Sequence, residues 1–430
     1  MNKVVLLFLS LLVIAVVPVL ALREIRSETI PGQIAYVGTD YNIYTYSFLT
    51  DSAVAITTDA TDTRRYQWPT WSVDSRLAYF CCDLQLASSP ITSAFVSPDG
   101  RLPGVEVRQG IAEQIIYAYW APDTCDAAQT CMELGMLVND VLNGTLWVEV
   151  YRDHSNSRSQ RLDQGSPFYY SWSSTAGQFV FHRNSSQLAV YDTDLERESN
   201  LAIESSGNYQ APAWSPIDTR ILVGARGSED NTTNLVITTA DTTETAELVT
   251  GLSGFVSFAW SPNAQYVAYR TLSDELGEVS VVNSGSGEII WQSSLGGVLG
   301  FFWAPDSKKL ALLTIQAIER RIDSDQDEPL YIQNPTQTGL SWAIVDIESG
   351  ETSQYDAFLP SRDMLYLITY FDQFSQSHRI WSPDSTHLVY SHLNIDSPEQ
   401  PLISILNVAD PLQQPQVIAE GGFAVWSFGD

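Results

Sequence analysis

The sequence predicts an all-β fold, an eight-bladed β-propeller of four-stranded antiparallel blades. Three observations carry this. A Trp followed by Ser or Ala recurs at Trp71, Trp120, Trp172, Trp214, Trp260, Trp303, Trp381 and Trp426. Turn chemistry follows each anchor, and strand-like apolar pairs follow the turn. Finally, 430 residues exceed what one hydrophobic core supports, roughly 250–300 residues, so a modular architecture is required.

The turn comes first. Pro follows at positions 122, 216, 262, 305 and 383, and an Asx residue at Asp74, Asp123, Asn263, Asp306 and Asp384. Pro pre-sets φ, and the Asx side chain bonds nearby backbone. Apolar residues then return with period two, as Ala78/Phe80, Phe179/Phe181, Ile221/Val223, Val267/Tyr269, Leu310/Leu312 and Leu388/Tyr390. That period reads as a strand with one face in a core. Two more strands usually follow, so each unit holds four strands in about 42–52 residues, the size of a propeller blade. The long interval from Trp303 to Trp381 reads as one blade with two enlarged loops, 316–338 and 361–377. Residues 33–58 supply three strands without a Trp motif, and 422–428 a single strand with one. The two fragments complete each other, and the C-terminal strand closes the ring on the N-terminal blade, which removes open sheet edges.

These repeats resemble the WD40-like repeats of TolB and of the prolyl-oligopeptidase and dipeptidyl-peptidase propellers. Those run Trp-Ser-Pro-Asp-Gly before a short apolar strand, and residues 381–385 (WSPDS) and 303–307 (WAPDS) are close to that pattern. The resemblance implies the fold; the matching residues are turn and core positions and imply no activity. TolB carries a separate α/β domain, whereas here the strand pattern begins by Ile34.

Before the repeats, residues 1–21 read as a signal peptide or an N-terminal membrane anchor, with Lys3 ahead of an apolar run, 22–32 as a linker and 33–430 as the propeller. Both readings place the protein outside the cytoplasm: periplasmic, secreted or membrane-anchored facing outside. Cys125 and Cys131, in one short insertion, are expected to form a disulfide in such a compartment. Cys81 and Cys82 are expected on opposite faces of a strand, as small buried hydrophobes.

Composition narrows the partners. Fifty-one Asp and Glu against 22 Lys and Arg give a net charge of −29, which excludes nucleic acid as a general partner and points to a cationic protein or peptide ligand. Membrane association is expected only through an uncleaved anchor. A Gly-x-Ser-x-Gly nucleophile elbow is absent. The five His are scattered, and His387 and His392 fall on opposite strand faces. No cofactor and no catalytic residue is therefore assigned. Asp323, Asp325 and Asp327 are a weak Ca²⁺ candidate, since Glu328 and Asn334 stand where an EF-hand loop needs Gly and Glu.

Aromatic residues ahead of the anchors, such as Tyr117, Tyr119 and Tyr170, are expected to pack blade against blade. The loops 316–338 and 361–377 are expected on the rim opposite the Trp turns, forming a ledge over one mouth of the channel. The second carries the candidate ligand-binding residues Tyr366, Tyr370, Phe371 and Phe374. The functional expectation is an exported, non-enzymatic protein- or peptide-binding module. Its alternative is a propeller enzyme, a polysaccharide lyase or hydrolase, with its site at the channel mouth.

Overall fold

In the computed structural model the described residues are 30–83, 90–122, 133–152, 159–203, 205–241, 244–272, 277–318, 337–394, 397 and 399–429. Their strands form seven antiparallel sheets, six with four strands in simple sequential order and one with seven. The six span residues 64–111, 113–165, 168–200, 213–253, 255–292 and 298–354. The long interval after Trp303 is a single sheet as expected, with Gln337–Asp346 as its third strand and Thr352–Gln354 as its fourth.

The seven-stranded sheet departs from the expected separate blades. One 11-residue strand, Gln416–Trp426, pairs through Gln416–Glu420 with Pro401–Asn407 and through Gly421–Trp426 with Gln33–Gly38. It ends one set of four strands and begins the next, so the closing strand is longer than the 422–428 expected. Gly421 permits the crossing, because a Cβ there would lie 2.4 Å from the carbonyl oxygen of Val37. The ring is thus closed by the two chain ends, with Ile34 opposite Trp426. The fold is a multi-bladed β-propeller.

Burial follows radial position. The outermost strands Ser52–Ala55 and Arg197–Asn200 are exposed throughout. Middle strands are buried on both faces, not on one as period two suggests: Leu310, Ala311, Leu312 and Leu313 are all fully buried. Each sheet is sandwiched between two neighbours, so residues on both sides lose water. Cys81 lies in this core.

Four of the eight Trp anchors bind sheet to sheet as well as filling space, whereas the indole nitrogens of Trp71, Trp214 and Trp303 are buried without a partner among the described residues. The indole N–H of Trp120 donates to the carbonyl of Thr70 (3.1 Å), Trp172 to Tyr119 (3.1 Å), Trp260 to Ala213 (3.0 Å) and Trp381 to Phe302 (3.0 Å). Each acceptor immediately precedes the anchor of the preceding unit, and Trp426 closes the series on Pro31 (3.0 Å). Small hydroxyls finish the turns. Ser261 Oγ donates to Asn263 and accepts from the Tyr266 N–H, and Ser382 repeats this with Asp384 and His387. The fourth residue after Trp is left-handed at Ser75, Ala176, Ala264, Ser307 and Ser385. Two of these serines also tie neighbouring turns, Ser307 Oγ accepting from Asn263 N–H and Ser385 Oγ from Asp306 N–H, both at 3.0 Å.

Among the described residues two helices stand apart from the all-β plan: α1 (Arg362–Thr369) and α2 (Phe371–Phe374). Ser361 caps α1 by accepting the Met364 N–H at 3.1 Å. Met364, Leu367, Phe371 and Phe374 recur at helical spacing and are buried. This segment is not an enlarged loop of the blade that follows Trp303, as the sequence suggests. Leu359–Pro360 pairs with His392–Leu393, and Trp381 bridges Leu388, so both flanks belong to one innermost strand and the helices interrupt it.

Candidate functional site

The interrupting segment lies on the ring axis, since it touches the inner strands of sheets all around it. Phe374 packs on Trp68, Tyr117 and Phe423, and Phe371 on Phe301 and Phe302. Arg270 stacks its guanidinium 4.8 Å from the Phe371 ring centre. Aromatics expected to join blade to blade thus also grip a central plug.

The plug answers a polar demand. An innermost strand has one unpaired edge facing the axis, whose N–H and C=O groups need partners when water is excluded. Gln373 spans Tyr170 like a short strand: its Oε1 accepts the Tyr170 N–H (3.0 Å), and its Nε2 donates to the Tyr170 carbonyl (2.8 Å) and the Tyr117 hydroxyl (3.0 Å). Tyr117 returns a bond to the Gln373 carbonyl (3.1 Å). Asp372 accepts the Ala211 N–H (3.3 Å), and Gln376 donates to the Pro212 carbonyl (3.1 Å).

Charges inside this plug are strained by burial. Asp372 is 2% exposed, and burial lifts its carboxyl to about 6 against the Ala211 N–H and the Arg270 charge. Burial lowers Arg270 to about 10, still cationic, and it donates to the Val298 and Leu299 carbonyls. His378, 3% exposed, is held neutral, its value pushed down to about 3 by burial. Its Nδ1 lies 2.6 Å from Ser377 Oγ, and its Nε2 has no hydrogen-bond partner.

Above the plug, on the rim of the Trp turns, a funnel of about 300 Å³ remains open. Its wall is the second residue after seven of the eight anchors: Val73, Pro122, Ser174, Pro216, Pro262, Pro305 and Phe428. Anchors including Trp120, Trp172 and Trp260 stand behind them, and Ser375, Gln376, His378 and Arg379 form the floor. The Arg379 guanidinium stacks 3.9 Å from the Phe428 ring centre, and burial lowers it to about 10. This concavity was legible in the repeat, since residues at one register of a ring must meet at its mouth. Read as turn formers, they pointed only to the loop geometry.

Of the sequence-derived binding residues, Phe371 and Phe374 are buried in the plug. Tyr366 and Tyr370 are half-buried and pack against one another with tilted rings, Tyr366 also against Trp68. Asp323, Asp325 and Asp327, Cys125 and Cys131, and the 1–21 segment lie outside the described residues. Among the described residues no cluster of His, Cys, Asp or Glu has the grouping to hold a metal, and no helix is long and apolar enough to cross a membrane.

A second concavity, about 550 Å³, opens between the 168–200 and 213–253 sheets. Ser206 Oγ lies 3.0 Å from His182 Nε2, and His182 Nδ1 lies 2.9 Å from the Gln210 carbonyl, with the ring stacked on Tyr209. Burial lowers His182. The adjacent N–H groups are spoken for, Gly207 by the Gly224 carbonyl and Asn208 by Thr233 Oγ1. Sequence reading found no such pair, because His182 lies on a strand and Ser206 on the link to the next sheet, 24 residues away.

No protein-family model matches this chain, and no curated protein matches it in sequence. Solved structures match by fold. A dipeptidyl peptidase 4 of Porphyromonas gingivalis is 9% identical with a TM-score of 0.55, over 93% of this chain and 59% of that one. A eukaryotic initiation factor is 11% identical with a TM-score of 0.50, over 92% and 98%. TolB from Acinetobacter baumannii is 12% identical with a TM-score of 0.40, over 85% and 83%. At these identities the likeness is one of fold.

Proposed function

We propose that this chain is an exported propeller that binds a protein or peptide in the funnel on its Trp rim. The observation that carries this reading is the funnel itself: an apolar, aromatic-backed cavity whose floor is a rigid plug with its backbone-facing polar groups satisfied. Such concave, largely apolar sites with few convergent polar groups are where ligands bind. The opposite mouth, where Tyr366 and Tyr370 are half-buried, is a second surface for a partner, and the net charge of −29 favours cationic partner surfaces around it. Selection of peptides from a display library on the immobilised protein tests the reading. Binders of the funnel lose affinity at least ~10-fold in Ser174→Trp, which fills the mouth; a set of binders indifferent to that change refutes it.

The enzyme alternative rests on Ser206 and His182, which have nucleophile–base spacing. Against it, the neighbouring N–H groups that would stabilise an oxyanion are already bonded. Hydrolysis of an activated ester, abolished by both Ser206→Ala and His182→Gln, would favour the enzyme.

A further inference from the structure

The funnel departs from the electrostatics of the rest of the chain. Acidic residues outnumber basic ones 51 to 22, yet the described residues that line the funnel include no Asp, Glu or Lys, and the single charge among them is Arg379. Among the described residues Arg379 meets no carboxylate within ion-pair distance; its side-chain contact is the ring of Phe428. A guanidinium stacked by its face keeps its N–H donors in the plane, where they form a fork for two oxygens. Beside it, His378 Nε2 is buried without a partner. A buried polar nitrogen left unpaired destabilises the floor as it stands. Among the described residues the surrounding Pro and Trp walls supply apolar surface and no competing anion.

We propose that the funnel recognises a carboxylate carried next to an apolar or aromatic group, with Arg379 as its anchor and Phe428 holding the fork in place. This rests on the funnel being the ligand site, and it narrows the ligand to one chemistry. It also corrects the simplest inference from net charge: a cationic partner suits the outer surface, whereas the cavity takes an anion. The volume, at the lower end of the 300–1,000 Å³ of small-molecule sites, admits the last residues of a peptide or a small acid, not a folded domain.

The test uses the full chain and its tryptophan fluorescence, with calorimetry alongside. Three probes are titrated: N-acetyl-Leu-Phe with a free carboxylate, its C-terminal amide, and 3-phenylpropionate. The free acid is expected to bind ~10- to 100-fold more tightly than the amide, the span of one charge-assisted contact. Arg379→Gln, which keeps most of the stack on Phe428, brings the acid to the amide's level and leaves the amide unchanged; Arg379→Lys recovers part of the loss. If 3-phenylpropionate binds with the same Arg379 dependence, the source is a small acid; if only the peptide binds, it is a chain end. Equal binding of acid and amide, with both displaced by Ser174→Trp, overturns the carboxylate anchor and leaves the funnel reading intact. Absence of any binder sensitive to Ser174→Trp overturns both.

Discussion

Asp372→Asn separates two forces that act on the plug. If pairing with Arg270 governed this carboxyl, its proton affinity would fall below that of an unfolded chain. Burial wins instead, lifting it to about 6 from an unfolded value near 3.9. Between these values the folded state binds the proton and the unfolded state does not, so stability falls as pH rises from about 4 to 6 and is flat above. Two units at ~1.4 kcal/mol each make the loss roughly 3 kcal/mol. Asparagine keeps an oxygen for the Ala211 N–H and removes the titration. Any fixed cost of leaving Arg270 without an opposing charge is independent of pH and cancels. Urea unfolding of both proteins at pH 4, 5, 6 and 7 is the assay, read as the difference between them. That difference should move by roughly 3 kcal/mol in favour of the variant between pH 4 and 6.5. A difference that is flat, or that moves toward the wild type with rising pH, refutes the primacy of burial.

Other consequences follow from the same contacts. His378 binds fewer protons folded than unfolded between about 3 and 6.5, so it removes ~1.4 kcal/mol of stability per pH unit as the medium acidifies below 6.5; His378→Phe should flatten that acid limb relative to wild type, and parallel limbs contradict it. Gln373→Leu strands the Tyr170 N–H and carbonyl and takes one of its two bonds from the Tyr117 hydroxyl, which keeps the Gln373 carbonyl, and should destabilise by at least ~2 kcal/mol in denaturant melts. Gly100→Ala forces a left-handed alanine whose Cβ would lie 2.2 Å from the Trp71 ring, and should cost about 2–3 kcal/mol. Ala176→Gly, by contrast, relieves a left-handed side chain at φ +55° and should leave stability level or raised by up to ~1 kcal/mol; a loss above that contradicts the strain.

What was readable in the chain was local. Each Trp-anchored turn is built from contacts within a few residues, so its repetition marked the sheets and their sequential order, and the two incomplete end fragments marked the closure of the last strand on the first. Even the plug left a trace, Ser361 followed by Met364, Leu367, Phe371 and Phe374 at helical spacing, although a wheel of strands made a loop the natural reading. Position around the axis was not readable. Nothing between Tyr117 and Gln373, or Tyr170 and Gln373, announces that 256 and 203 residues of chain close into hydrogen bonds. Nor does the run His378-Arg379 show which side chain is left unpaired beneath a ring of prolines. The sequence alone determined how each sheet is made, because those forces act between neighbours. Only the tertiary structure decided what fills the centre of the ring and which rim stays open, because every sheet contributes one edge to that axis and the outcome depends on all of them together.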